Sequence, residues 1–151
     1  MIFETYLPEG RLADAAERIF LFTDFEADYS IERIVPTGSP FILIELDGIT
    51  RYVLDDRTFG KSQSFKGAWI SGLRRRFLTV SVPPKSSMLV CQFKPLGAYS
   101  CFHFHLGKLN DTVTPSAELF GDELDAVRSQ VMGETDTTRR FEILSEWLLK
   151  R

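Results

Sequence analysis

The chain has no uninterrupted apolar run longer than about four residues, the length of Phe41-Ile42-Leu43-Ile44. A membrane-crossing helix needs about 20, so neither a span nor a membrane partner is expected. Cysteine is scarce, with Cys91 and Cys101 the only two in 151 residues. A secreted disulfide scaffold needs more, and two thiols in aromatic surroundings read as reduced and buried, which points to the cytoplasm. The amino terminus carries Glu4 and Glu9 and no long apolar core, which excludes a signal peptide. Basic charge is not in excess: 18 Lys and Arg stand against 21 Asp and Glu, a net charge of −3. Nucleic-acid binding leaves a basic footprint, so this chain by itself is not expected to hold DNA. Neither a G-x-G-x-x-G nor a Walker pattern occurs, so no phosphate-cradling loop is expected.

What the chain does have is phenylalanine, 13 of 151 residues. That favours strands around a wide aromatic interior over a slim helical bundle. A chain of this length buries roughly 68–70% of its unfolded surface as one domain, enough for a core without disulfide or metal. Strands are expected at Ala16–Phe25, Ser30–Val35, Phe41–Leu46, Thr50–Leu54, Ser64–Ile70, Phe77–Val82 and Met88–Phe93. Asp47-Gly48 suits a tight hairpin turn, and Gly72 marks a second hairpin. After Pro95 the period lengthens: Tyr99, Phe102, His103 and Leu106 fall at helical spacing. Asp122 and Asp136 are candidate caps for two further helices, the last carrying an apolar stripe of Phe141, Leu144 and Leu148. The fold class is therefore α+β, a barrel or sandwich of short antiparallel strands followed by C-terminal helices. Residues 1–94 form the β-rich portion and 95–151 the helical portion packed on it, within one structural domain.

Catalytic and metal chemistry find little to stand on. Cys101-Phe102-His103-Phe104-His105 contains a His-x-His pair, which on a strand would place two imidazoles on one face. No third His exists, Leu109-Asn110 stands where a carboxylate would be needed, and the spacing there is helical, so no metal is expected. Cys101 and His103 lack an elbow or oxyanion motif, so no catalytic residue is assigned. Arg74-Arg75-Arg76, with Lys61 and Lys66 near, reads as a solvated strand edge, the other reading being an anion site or a partner patch.

Several motifs occur in a telling order. Tyr6-Leu7-Pro8 precedes the first long strand, Ile34-Val35-Pro36-Thr37-Gly38 precedes FILIEL, and Trp69-Ile70-Ser71-Gly72 follows. Met88–Ala98 reads MLVCQFKPLGA, and Leu119-Phe120-Gly121 comes before the terminal helix. This order resembles the amino-terminal sensor region of AraC-type bacterial transcription regulators, in the cupin-like subgroup whose strand ends in an F-[RK]-P-x-G-A turn. Leu96 departs from it, standing where many relatives have Gly. The resemblance implies a cupin-like domain that senses a small effector, without a cofactor, and works as a homodimer. DNA would then be reached only through a helix-turn-helix domain that would follow the terminal helix and is absent here. The alternative is a stand-alone cupin-like binding protein or small enzyme.

Because the resemblance transfers no ligand residues, the candidates come from the strands. Trp69, Phe65, Phe93 and Tyr52 are the aromatic walls of an expected pocket, and Cys91 shares a face with Phe93 and Leu89 under period-two alternation. Glu45, inside FILIEL, and Arg51, just past the turn, are candidates for polar selectivity, unless the aromatics close a solid core and Glu45 faces water. Phe141, Leu144, Trp147 and Leu148 are expected to form a dimer or domain interface, the alternative being that they dock on the domain's own body.

Overall fold

Ten strands in two antiparallel sheets and a layer of helices make up the computed structural model, which describes residues 1–103 and 106–151. In chain order the elements are β1 (Ile2–Tyr6), α1 (Leu12–Ala15), β2 (Ala16–Phe25), β3 (Ile31–Ile34) and β4 (Phe41–Glu45). Next come β5 (Arg51–Leu54), β6 (Lys61–Phe65), β7 (Ala68–Ser71), β8 (Leu78–Ser81) and β9 (Ser86–Phe93). The chain closes with α2 (Gly97–Phe102), a 3-10 turn at Leu106–Leu109, β10 (Val113–Pro115), α3 (Ala117–Phe120), α4 (Glu123–Met132) and α5 (Thr137–Leu149).

The larger sheet runs β1-β2-β9-β4-β7-β10 and the smaller β3-β8-β5-β6, so the fold is an open α+β sandwich and no closed barrel forms among the described residues. The larger sheet is the middle layer. Ile19, Leu21, Ile42, Ile44, Ile70, Leu89, Cys91 and Phe93 point from one face into the helices. Phe20, Phe22, Phe41, Leu43, Trp69, Met88 and Val90 gather on the other, facing the smaller sheet. Burial on both faces explains why FILI and MLVC read as continuous apolar runs instead of alternating.

Both expected hairpins are crossovers. Gly48 does take a positive φ of 72°, as a tight turn asks, but β4 pairs with β7 and β9 while β5 pairs with β6 and β8. The Asp47-Gly48 corner therefore carries the chain from one sheet to the other. Gly72 lies between β7 and β8, which are also in different sheets. The single strand expected over Ser64–Ile70 is broken at Gly67, whose φ of 87° turns the corner between β6 and β7.

Two motif glycines are explained by close approach. A Cβ on Gly97, in the F-K-P-L-G-A turn, would collide with the backbone of Ala15 in α1, and one on Gly72 with the backbone of Leu109. Leu96 is 87% exposed, so the departure at that position costs the turn nothing in packing.

Among the helices, Asp136 caps α5 by accepting from the Arg139 N–H, whereas Asp122 precedes α4 without a side-chain cap bond. α2 ends at Phe102 because His103 takes a left-handed φ of 55°, which breaks the helical spacing expected to reach Leu106. The apolar stripe of α5 is not a free face: Phe141, Leu144 and Leu148 are buried in the domain's own core and Trp147 is half-buried against it. Docking satisfies that helix, and the expectation of an interface built from these four residues is corrected. No helix among the described residues is long and apolar enough to cross a membrane.

Candidate functional site

Between the sheets lies a cavity of about 370 Å³. Its floor is the inner face of the larger sheet: Phe20 and Phe22 from β2, Phe41 and Leu43 from β4, Trp69 from β7, Met88 and Val90 from β9. The smaller sheet supplies Leu78, Val80 and Phe65. Ile34, Val35, Pro36 and Thr37 also line it and are themselves exposed, so the cavity opens to solvent at the end of β3. Such a cavity falls within the size range of small-molecule sites, which are concave and mostly apolar with a few polar groups.

Three of the seven residues singled out from the sequence line it. Trp69 and Phe65 meet with ring centroids 4.5 Å apart, and the Arg51 guanidinium lies 6.0 Å from the Trp69 ring. Arg51 is nearly inaccessible and held by a two-pronged pair to Asp47, at 2.7 and 3.1 Å, with a further bond to the Ile49 carbonyl. Burial opposes the charge on Asp47. Bonds led by the Arg51 guanidinium, with the Ser87 and Ile49 backbone N–H groups, outweigh it and hold the carboxyl well below the usual range.

The other four lie elsewhere. Cys91 and Phe93 do share a face with Leu89, and that face meets the helices, where Phe93 packs edge-on against Phe102. Burial pushes the Cys91 thiol far up, as it does Cys101, so both are inert. Tyr52 is half-buried on β5, and its ring carries the Lys61 ammonium at 3.9 Å. It is absent from the cavity lining.

Glu45 neither faces water nor reaches the cavity. It is fully buried, accepts from the N–H groups of Asp47, Gly48 and Gly67, and pairs with Arg128 of α4 at 2.8 Å. Arg128 also donates to the Glu45 carbonyl at 2.7 Å, so this carboxylate latches the helical layer to the end of β4.

The sequence reading missed the Phe20, Phe22, Leu43 and Val90 part of the floor. Alternate residues of IFLF and FILI carried that signal, but with both faces buried the alternation does not say which face is hollow. Arg74, read with its neighbours as a solvated edge or, in the alternative, an anion site or partner patch, is half-buried at the cavity wall, while Arg75 is exposed and pairs with Asp111 at 2.9 Å.

Of the His-x-His pair, His103 is exposed with Nε2 2.9 Å from the Arg151 carbonyl oxygen, and His105 lies outside the described residues. No group of three or more His, Cys, Asp or Glu suited to a metal occurs among the described residues.

These features define an α+β domain of three layers, helices on a six-stranded sheet on a four-stranded sheet, with a hollow between the sheets. Over residues 4–115 the chain matches the family described as Domain of unknown function (DUF6597), and it belongs to that family. The match runs from β1 to the end of β10, so it takes in both sheets and the cavity and stops before α3. None of the curated proteins matches the chain.

Proposed function

We propose that this domain is a non-catalytic sensor that binds a small, largely apolar effector between its two sheets. Working as a dimer, it would control an attached DNA-binding domain, in the manner of AraC-type regulators. The observation that carries the reading is the open 370 Å³ cavity lined by Trp69, Phe65, Phe20, Phe22 and Phe41. A solid aromatic core would have supported a purely structural role. The regulatory half of the proposal draws its support from the order of sequence motifs, Ile34–Gly38 through Leu119–Gly121.

A thermal-shift screen tests the binding. A ligand at 100 times its Kd stabilises the folded state by about 2.7 kcal/mol, roughly 5–10 °C for a domain of this size. Trp69→Ala should reduce that shift, and a hit whose shift is unaffected would place the site elsewhere. The regulatory half is tested by reading the gene beyond codon 151. About 100 further residues with helix-turn-helix pattern are expected, and a stop codon there would leave a stand-alone binding protein.

A further inference from the structure

The cavity wall carries three charged side chains, Arg51, Arg74 and Glu32. Arg51 is neutralised by its two-pronged bond to Asp47, and Glu32 is an exposed residue on β3 at the edge of the smaller sheet. Arg74 is the exception. No carboxylate lies within ion-pairing distance of it among the described residues; the nearby Asp111 acts on its charge from farther off and is bonded to Arg75 through both the Arg75 backbone N–H and guanidinium.

The Arg74 head is nevertheless held in place. Nε donates to the Ser71 hydroxyl at 3.3 Å and Nη2 to the Thr112 carbonyl at 3.1 Å, both neutral acceptors. A guanidinium has five N–H donors, so three remain without an acceptor among the described residues. Partial burial lowers the pKa of Arg74, and the charge of nearby Asp111 offsets that loss of solvation only in part. Arg74 lines both this apolar hollow and a second hollow beside it that includes Asp111, Thr112 and Glu118, and a planar fork at the edge of an apolar hollow suits one group well, a carboxylate or similar oxyanion taken with two parallel bonds.

We propose that the cavity takes an amphipathic monoanion, an apolar ring or chain ending in one carboxylate-like group, and that Arg74 receives that group. The assignment rests on the reading of the cavity as a ligand site and names the ligand's class. Phe20, Phe22, Phe41, Leu43, Trp69 and Met88 hold the apolar body. No second cation without an ion pair lines the cavity among the described residues, so one negative charge is matched and two would not be.

Three probes of similar length, the first two also alike in shape, decide it: 4-phenylbutyrate, 4-phenylbutanamide and 4-phenylbutylammonium, titrated calorimetrically. In a Trp147→Phe background the emission of Trp69 reports whether each enters the cavity. The carboxylate should bind at least about tenfold tighter than the amide, as a charge-assisted hydrogen bond supplies, with the ammonium weakest. Arg74→Gln should bring the carboxylate close to the amide and leave the amide unchanged, while Arg74→Lys keeps part of the preference. Equal binding of amide and carboxylate to the wild type, or a preference that survives Arg74→Gln, overturns the assignment and spares the cavity. If no probe alters Trp69 emission, the cavity reading and the ligand class fall together. The wild-type comparison stands alone should Arg74→Gln fail to fold.

Discussion

The two faces of the six-stranded sheet use alternate residues of the same strands and pack very differently. On β9, Leu89, Cys91 and Phe93 are wholly excluded from water among helices, whereas the opposite face carries half-buried Phe20, Phe22, Phe41 and Leu43 around a hollow. The coverings explain the contrast. Four helices, α1, α2, α4 and α5, with Phe120 of α3, send side chains individually into the first face. The second face is covered by a sheet of four strands against six. Strands lie about 4.7–4.9 Å apart, so roughly 10 Å of sheet width is left for loops and solvent. A helical layer can close a face residue by residue; a hydrogen-bonded sheet of unequal width cannot, and room for a ligand follows from that mismatch.

The latch on the helical side offers the strongest way to break the contrast. Glu45→Ala removes a buried carboxylate, leaves Arg128 without its ion-pair partner, and should cost about 3–5 kcal/mol in urea unfolding. A loss below about 1 kcal/mol would mean that apolar contacts alone hold the helices.

A matched pair of leucines sharpens the comparison directly. Leu89→Ala on the sealed face should cost about 3 kcal/mol and Leu43→Ala on the hollow face about 1 kcal/mol, because only the first leaves a new void in close packing. Equal losses would erase the difference between the faces.

The close approach of α2 to α1 is tested by Gly97→Ala, expected to cost about 2 kcal/mol by forcing the turn away from Ala15. An unchanged denaturation midpoint would show that the turn yields freely.

A pH dependence is expected at the corner between the sheets. The folded-state pKa of Asp47 is depressed, so its contribution is fully present above the ordinary value of 3.8 and is lost as the pH falls through the depressed value. The stability gap between wild type and Asp47→Asn should therefore hold near neutrality and narrow below about pH 4. A gap that stays constant down to pH 2 would remove Asp47 as its source.

How much could be read without the structure depended on the neighbours of each segment. Ala16–Phe25 emerges with its expected bounds because it is a long strand in the middle layer, apolar on both faces. β1 was missed because it is an exposed edge strand with no buried side to pattern it. β10 was missed because three residues ending in Pro115 carry no period. Lys61–Phe65, also an edge strand, is largely polar and was not separated from the strand that follows it. At the site, Trp69 and Phe65 were recognisable as strand aromatics and Arg51 as a charge beside a turn. Tyr52, one residue from Arg51, points to the other side of β5, as period two requires, but alternation does not say which of the two faces the cavity.

Local chemistry and short patterns were enough for the α+β class, the positions of most strands and the cap at Asp136, whereas the need for glycine at Gly97 comes from the distant backbone of Ala15. The tertiary structure alone decided that Asp47-Gly48 and Gly72 join two sheets, that Glu45 is a latch, that α5 spends its apolar stripe on its own core, and that Arg74 stands apart from Arg75. Those outcomes depend on which strands pair and which face meets which layer, and pairing is set by contacts between residues far apart in the chain, about which a local pattern carries no information.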